Sequence, residues 1–159
     1  MTLEIERKFL VKNDAYKIES SSFYSIKQGY LSTNKNSTVR VRITDNKGFI
    51  TIKRKSNVSG TSRFEWEKEI PKIEAESLFL LCEKGKIEKV RYLVKKGIHT
   101  FEVDEFLAEN KGLIVAEIEL SEENEVFEKP NWLGKEVTGK SEYYNSSLSK
   151  NPFKNWIKQ

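Results

Sequence analysis

The stretch Val39-Arg40-Val41-Arg42-Ile43 alternates apolar and basic residues with a period of two. Successive side chains of a β-strand point to opposite faces of a sheet, so this stretch predicts a strand with Arg40 and Arg42 on one face. The same period extends in both directions along the chain. The sequence predicts eight short strands, at 3–10, 26–32, 38–44, 49–55, 62–70, 88–94, 99–106 and 113–120.

The segments between these strands contain short turn sequences, such as those at 44–48, 57–60, 95–97 and 109–112. Connections of this length make neighbouring strands antiparallel. Helical spacing is clearest over 75–82, and further helices are expected near 13–21, 122–128 and 141–149. The apolar stripe over 75–82 consists of Ala75, Leu78, Phe79, Leu81 and Cys82. The chain is therefore expected to be one α+β, mostly β domain over 1–159, with a C-terminal helical segment at about 141–159.

The composition places 33% charged and 37% hydrophobic residues in a chain of 159. The charged share exceeds the ~25% of an average protein, yet the formal net charge of +4 is mild and is not gathered in a tail or a basic run. Nucleic-acid binding is therefore not expected. The sequence has no apolar run of membrane-spanning length and no signal-peptide pattern, so a cytoplasmic location is expected. The single cysteine excludes an internal disulfide and a multi-thiolate metal site.

The polar face of the predicted strands is almost purely ionic. Its members are six basic residues, Lys8, Arg40, Arg42, Lys53, Lys89 and Arg91, and nine acidic residues, Glu4, Glu6, Glu65, Glu67, Glu69, Glu102, Asp104, Glu117 and Glu119. One interpretation is a solvent-facing row of an ordinary sheet. However, like charges two residues apart on one face destabilise a sheet unless something binds between them.

A second interpretation is that this face binds phosphate and metal. Acidic pairs supply the oxygen ligands of hard divalent cations, and basic pairs supply donors for phosphate oxygens. An eight-stranded antiparallel barrel with the ionic face inward would enclose such a site. Its apolar face would then point outward and would need helices as cover.

The opening Glu4-Ile5-Glu6-Arg7-Lys8-Phe9 resembles the ExExK signature of the CYTH superfamily, the triphosphate tunnel metalloenzymes. The resemblance continues through 28–31, 39–42, 51–53, 63–67, 89–92, 101–106, 112–120 and 132–138, nearly the whole chain. It implies a closed antiparallel β-tunnel. It also implies hydrolysis of triphosphate compounds with Mg²⁺ or Mn²⁺, whereas a minority of members cyclise ATP.

The resemblance implies roles for the ionic residues. The expected phosphate ligands are Lys8, Arg40, Arg42, Lys53, Lys89 and Arg91, and the expected ligands of one or two Mg²⁺ or Mn²⁺ ions are Glu4, Glu6, Glu65, Glu67, Glu117 and Glu119. Lys8 either contacts the terminal phosphate or, with a lowered pKa and paired with Tyr30, orients or deprotonates the attacking water. Asp104 is expected to orient a neighbouring Arg or a metal-bound water, with a structural role as its alternative.

Residues 134–141 match the phosphate-loop pattern GxxxxGK[ST]. We reject that interpretation because no buried parallel strand precedes the match. By resemblance to the CYTH family this segment is a loop after the last barrel strand, at the tunnel mouth, and the family commonly has an acid at the position of Lys140. His99 is expected to be a solvated residue at a strand start, and Cys82 a small buried hydrophobe.

The favoured function is metal-dependent hydrolysis of the terminal phosphoanhydride of a linear triphosphate. Inorganic tripolyphosphate is the preferred substrate because no residue is assignable to an adenine or thiazole ring. The alternatives are a class IV type adenylyl cyclase, a thiamine triphosphatase and a non-enzymatic polyphosphate- or nucleotide-binding module. A small-molecule triphosphate is the expected partner, no membrane or nucleic acid is expected, and the oligomeric state stays open, a homodimer included.

Overall fold

The computed structural model describes residues 2–34, 36–55 and 62–156. These residues contain nine strands, β1 (Thr2–Val11), β2 (Ser22–Thr33), β3 (Ser37–Thr44), β4 (Lys47–Lys55), β5 (Ser62–Ile70), β6 (Ile87–Lys96), β7 (His99–Phe106), β8 (Ile114–Leu120) and β9 (Leu133–Glu136). They form one antiparallel sheet with the strand order β5-β4-β3-β2-β6-β7-β8-β1-β9. The strands expected from the period of two are all present, and the mostly β antiparallel fold is confirmed.

The expectation of a closed eight-stranded barrel needs two corrections, both along one edge of β1. Strand β1 pairs with β5 only over its first residues, where Thr2–Ile5 face Ser62–Glu65. Further along the same strand, Phe9 and Val11 pair with the short strand β9. The described sheet is therefore joined by direct pairing of β1 and β5 at one end only, and a ninth strand occupies part of the remaining edge.

The helices of the described chain are short. They are α1 (Tyr16–Glu19), α2 (Lys72–Leu80) and α3 (Asn145–Leu148), with single 3₁₀ turns at Ala108–Asn110, Ser141–Tyr143 and Phe153–Asn155. The helices expected near 13–21 and 141–149 are thus present in shorter form, as α1 and α3. Among the residues that the structure describes, every helix is too short or too polar to span a membrane bilayer.

Helix α2 packs on β3 and β4 through its buried residue Ala75. A Cβ placed on Gly48 of β4 would lie 2.3 Å from the Ala75 Cβ, so the close approach of helix and strand requires a glycine there. The stripe predicted over 75–82 is wrong at its end, because the helix stops at Leu80 and Leu81 is 73% exposed. Cys82 is half-buried and packs at the edge of the same cluster.

The segment 121–132 is not the helix expected near 122–128. Phe127 packs edge-on against Phe9 and Phe101. Glu125 accepts hydrogen bonds from the backbone N–H and hydroxyl of Ser121 and pairs with His99. These contacts hold residues 121–132 against the sheet as an irregular loop. They also correct the expectation of a solvated His99, whose side chain is only 9% exposed.

An apolar cluster lies beyond one end of the ionic residues. Ile87, Phe106 and Val115 share strand faces with the charged residues further along β6, β7 and β8. Leu148 of α3 is fully buried in this cluster, and the partly buried rings of the C-terminal segment, Tyr143, Phe153 and Trp156, pack against it. The C-terminal segment therefore covers this end of the sheet interior.

Candidate active site

The ionic face of the sheet lines a cavity of about 250 Å³. Each of the strands β1 to β8 contributes to its wall. The lining residues from these strands are Glu6, Lys8, Tyr30, Thr38, Arg40, Arg42, Lys53, Glu65, Glu67, Arg91, Glu102, Glu117 and Glu119. The described wall thus carries five cationic and six carboxylate side chains, on the strand face that the period of two indicated.

The structure places the residues expected in the site in three groups. Those that line the cavity are Lys8, Tyr30, Arg40, Arg42, Lys53, Arg91, Glu6, Glu65, Glu67, Glu117 and Glu119. Lys89 and Asp104 are not among the lining residues, although both share strand faces with residues that are. The side chain of Glu4 falls outside the described part of the structure.

Lys89 lies beneath the cavity wall, behind the residues that line it. Its Nζ lies 2.7 Å from Asp104 Oδ2, and its side chain is fully buried. Arg91 holds the same carboxylate with two hydrogen bonds, from Nε to Oδ1 at 2.7 Å and from Nη2 to Oδ2 at 2.9 Å. Asp104 therefore contacts a neighbouring Arg, one of the arrangements that the sequence suggested, and its single charge faces two cations.

Burial and charge act in opposite directions within this group. Burial lowers the pKa of Lys89 to about 7, although Asp104 favours its charged form. Burial also opposes ionisation of Asp104, but the charges of Arg91 and Lys89 outweigh it and hold the pKa of Asp104 well below its usual range. Asp104 is therefore an anion at neutral pH, and it fixes the guanidinium of Arg91 at the cavity wall.

The other two arginines of the wall come from β3. Arg42 Nε donates to Gln28 Oε1 at 3.3 Å, and Arg40 Nη2 donates to Thr51 Oγ1 at 3.4 Å. Burial lowers the pKa of Arg42 to about 9, and the positive charges of Arg40 and Arg91 act in the same direction. Three guanidinium groups that influence one another in this way form an attractive environment for a polyanion.

The carboxylates Glu6 and Glu117 interact across β1 and β8. The negative charge of Glu117 is the largest influence on Glu6, and together with burial it raises the pKa of Glu6 to about 7. Burial disfavours the charge on Glu117, but Lys8 and Arg91 outweigh it and lower its pKa. Two carboxylates that compete for one proton form a site where a cation would relieve the repulsion.

Lys8 lies beside these acids, which influence its charge state. Burial alone would lower the pKa of Lys8, but Glu117 and Glu6 outweigh it, and the pKa is raised. Its Nζ lies 3.4 Å from Glu117 Oε1 and 5.0 Å from the centre of the Tyr144 ring. The neighbouring carboxylates therefore favour the cationic form of Lys8 over the neutral form that a water-activating role requires.

The donor set suits a hard divalent cation. Glu6, Glu65, Glu67, Glu117 and Glu119 offer the oxygen atoms that Mg²⁺ and Mn²⁺ prefer. Within the residues that the structure describes, no three acidic, His or Cys side chains are gathered closely enough to hold an ion. Two of the acids face bases instead, with Lys53 Nζ 3.7 Å from Glu65 Oε1 and Lys8 Nζ 3.4 Å from Glu117 Oε1. The chemistry fits a metal, and binding requires these carboxylates to leave their lysines.

The chain that follows β9 adds residues to the wall that were not among the expected site residues. They are Thr138, Gly139, Tyr144, Asn145 and Ser146. The Lys8 backbone N–H donates to Thr138 Oγ1 at 2.9 Å, and the Val137 N–H donates to the Lys8 carbonyl at 2.8 Å, so the segment is anchored to β1. The resemblance to the CYTH family placed the segment 134–141 at the tunnel mouth, but it assigned no site residue there. Lys140 is exposed and is not among the lining residues.

Comparison with known proteins decides the family. A sequence model of the CYTH domain matches residues 2–152. The chain belongs to the CYTH family. An inorganic triphosphatase of Acetivibrio thermocellus is 52% identical to this CYTH chain over 158 residues, covering 98% of this chain and 99% of that protein. An inorganic triphosphatase of Nitrosomonas europaea is 34% identical over 150 residues, covering 92% and 96%.

A solved structure agrees with the assignment of this CYTH chain. The crystal structure of an inorganic triphosphatase superposes with a TM-score of 0.67 at 30% identity, covering 94% of this chain and 95% of that one. Triphosphatases of the CYTH family are in general metal-dependent. The resemblance noted in the sequence is therefore confirmed over nearly the full length.

Proposed function

We propose that this CYTH protein is a metal-dependent triphosphatase that hydrolyses the terminal phosphoanhydride of a linear triphosphate. The observation that carries the proposal is the cavity, because eight strands direct five cations and six carboxylates to one space. Cations alone would suit simple anion binding. Carboxylates beside them repel a polyanion unless divalent ions intervene, so the combination supports metal-assisted phosphoryl transfer.

The basic residues are proposed to hold the phosphate chain and to stabilise its charge. Arg40, Arg42 and Arg91 offer planar donors that match phosphate oxygens, and Lys53 adds a flexible charge. Hydrogen bonds to protein acceptors fix Arg42 and Arg91 in advance, so little reorganisation is needed when substrate binds. Preorganised donors of this kind lower the barrier by stabilising charge that develops on the transferred phosphoryl group.

The acidic residues are proposed to hold one or two Mg²⁺ or Mn²⁺ ions. Glu6 and Glu117 are the strongest candidates, since their mutual repulsion already raises the pKa of Glu6. Glu65, Glu67 and Glu119 complete the described set, and Glu4 is added from the sequence. When bound, such an ion neutralises charge on phosphate oxygens and lowers the pKa of water.

Lys8 is proposed to contact phosphate as a cation, because the surrounding carboxylates keep it protonated. Its ammonium lies between Glu117 and the Tyr144 ring, where the C-terminal segment meets β1. Tyr30 is buried and lines the same cavity, so its hydroxyl is proposed to orient the attacking water. The carboxylates of the wall are then the groups able to accept a proton from that water.

Inorganic tripolyphosphate is the proposed substrate. The lining side chains are overwhelmingly polar or charged, and Tyr30 and Tyr144 are the aromatic members of the described wall. A nucleotide would need further complementary surface for its base and ribose. Both relatives named above are inorganic triphosphatases, which supports the same substrate class.

The proposal is tested by incubating the purified protein separately with tripolyphosphate, ATP and thiamine triphosphate, with Mg²⁺ or Mn²⁺. Phosphate, pyrophosphate and cyclic AMP are measured together in each reaction. The expected result is release of phosphate and pyrophosphate from tripolyphosphate, lost in EDTA. Cyclic AMP with pyrophosphate from ATP would establish a cyclase instead, and binding without turnover would establish a binding module.

The metal assignment is tested by Glu6→Gln and Glu119→Gln. Each variant removes one proposed oxygen ligand while keeping the side-chain size, so metal-dependent turnover is expected to fall by about a hundredfold or more with the fold intact. Glu69→Gln is the matched control, because Glu69 lies on β5 two residues beyond Glu67 and is not among the lining residues. Full activity in both test variants would refute the assignment.

A further inference from the structure

Asn145 joins the buried charge group to the cavity. It is the first residue of α3, it lines the cavity, and its side-chain Oδ1 accepts a hydrogen bond from Lys89 Nζ at 3.5 Å. Lys89 itself is fully buried and is not among the lining residues. Asn145 therefore stands between the ammonium of Lys89 and the space that a substrate would occupy.

The contact with Lys89 determines which way the Asn145 amide points. Asp104, 2.7 Å from Lys89 Nζ, favours the protonated form of this lysine, which has three donors and no acceptor, so the carbonyl oxygen of the amide faces it. The amide nitrogen, Nδ2, is consequently turned away from Lys89. Within the described ranges this nitrogen donates to no protein group, and it is not among the buried side-chain atoms that lack a partner. An oriented and accessible donor thus remains on a residue of the cavity wall.

We propose that Asn145 is a substrate-binding residue whose Nδ2 donates a hydrogen bond to a phosphate oxygen at the end of the cavity beside the C-terminal segment. This inference rests on the proposed function, since it assigns a contact to the same polyanionic substrate. Lys89 acts through Asn145 as a positioning residue that keeps the amide oxygen away from the anion. A neutral donor in this position adds affinity without adding a further positive charge to the wall.

This arrangement lets the buried side chain of Lys89 act on the substrate indirectly, through Asn145. Lys89 Nζ is fully buried 2.7 Å from Asp104 and is not at the cavity wall, so in this arrangement the ammonium makes no direct contact with the cavity. Its hydrogen bond to Asn145 orients an amide, which requires only a fixed donor. Arg91, which shares Asp104, lines the cavity directly. The buried carboxylate therefore supports one direct and one indirect phosphate contact.

The test compares Asn145→Asp with Asn145→Ala. The aspartate keeps an oxygen toward Lys89, but it removes the donor and adds a negative charge toward the substrate. The alanine removes both contacts. Asn155→Asp is the matched control, since Asn155 is an exposed residue of the same C-terminal segment. Binding of tripolyphosphate is measured by isothermal titration calorimetry in EDTA and in Mg²⁺, with circular dichroism melts to establish folding.

We expect tripolyphosphate affinity to fall about tenfold in Asn145→Ala and about a hundredfold in Asn145→Asp, with Asn155→Asp unchanged. A merely structural Asn145 predicts the opposite order, because the aspartate preserves the contact with Lys89. Affinity within twofold of the parent chain in either folded variant overturns the inference. If the parent chain binds tripolyphosphate without hydrolysing it, the proposed function fails while this contact stands. If the parent chain does not bind it, both fail.

Discussion

At the scale of single residues, the cavity brings together charges that are unfavourable unless each has a partner or a ligand. Lys89 and Arg91 share the carboxylate of Asp104. Glu6 and Glu117 have Lys8 beside them and still compete for a proton. The two groups therefore differ, because the acid of the first is already paired with two bases of the protein, whereas the acids of the second gain from a bound cation.

The raised pKa of Glu6 makes the stability of the metal-free protein depend on pH. A carboxyl group whose pKa is higher in the folded than in the unfolded state destabilises the fold progressively as the pH rises from about 4.5 to about 7. Replacing Glu6 by Gln removes this penalty. In EDTA, we expect Glu6→Gln to match the parent chain in urea unfolding at about pH 4 and to be more stable by about 3 kcal/mol at about pH 8.

The control for this measurement is Glu69→Gln, which lies outside the wall and should show no pH-dependent gain. An equal gain for Glu6→Gln at both pH values would show that repulsion from Glu117 is not the cause.

The shared carboxylate Asp104 should matter more for stability than Lys89. Asp104→Asn leaves Lys89 and Arg91 buried without their counter-charge, and removing one member of a buried ion pair typically costs about 3–5 kcal/mol. Lys89→Met substitutes an apolar group for the ammonium and leaves both hydrogen bonds between Arg91 and Asp104 in place. We expect urea unfolding to rank Asp104→Asn as clearly the less stable variant, and the reverse order would contradict the role assigned to Asp104.

At the scale of secondary structure elements, the strands can be predicted from the sequence and their covering segments cannot. The alternation of Val39–Ile43 predicts a strand correctly because the two faces of that strand have different surroundings, one ionic and one apolar. The sequence does not predict β9, because its four residues, Leu133–Glu136, include a glycine and show no alternation. The predicted helix near 122–128 is wrong because tertiary contacts of Glu125 and Phe127 override local preference.

The same limit applies to the candidate site. Charged residues such as Arg40 and Glu117 can be assigned to the wall because strand parity determines their face. The burial of Lys89 cannot be foreseen, since it depends on an apolar cluster and on α3, which lie far apart in the sequence. Asn145 carries no signal at all, because a single polar residue in a short C-terminal helix has no pattern to distinguish it.

The packing of α2 against the sheet should depend on Gly48. A methyl group at this position would lie 2.3 Å from the Ala75 Cβ, so Gly48→Ala forces the helix outward. Overpacking of this kind typically costs about 1–3 kcal/mol. We expect urea unfolding of Gly48→Ala to show such a loss, and we expect a smaller loss when Gly48→Ala is compared with Gly48 in an Ala75→Gly background. This comparison cancels the ~1 kcal/mol that a glycine itself costs in a helix. An equal loss in both backgrounds would show that the contact with Ala75 is not the cause.

At the scale of the whole molecule, the cavity is a set of opposed charges that satisfy one another before any ligand binds. Lys8 contacts Glu117, Lys53 Nζ lies 3.7 Å from Glu65 Oε1, and Arg91 Nη1 lies 3.3 Å from Glu102 Oε2. A divalent cation must draw carboxylates away from these bases, and a polyanion must draw the bases away from the acids. Each ligand therefore frees the partners of the other, and the two should bind with positive coupling.

This coupling is measurable with Mg²⁺ and sulfate, a tetrahedral anion of the same class as phosphate. We expect the thermal stabilisation by both together to exceed the sum of their separate effects, corresponding to a mutual increase in affinity of about fivefold or more. Sulfate also stabilises proteins without binding a site, so the double variant Glu6→Gln and Glu119→Gln is the control. The double variant should still be stabilised by sulfate alone, but the stabilisation by Mg²⁺ and sulfate together should no longer exceed the sum of their separate effects. Strictly additive shifts in the parent chain would mean that the acidic and basic residues act as separate sites, since two ligands that each release the other's binding groups from ion pairs cannot bind independently.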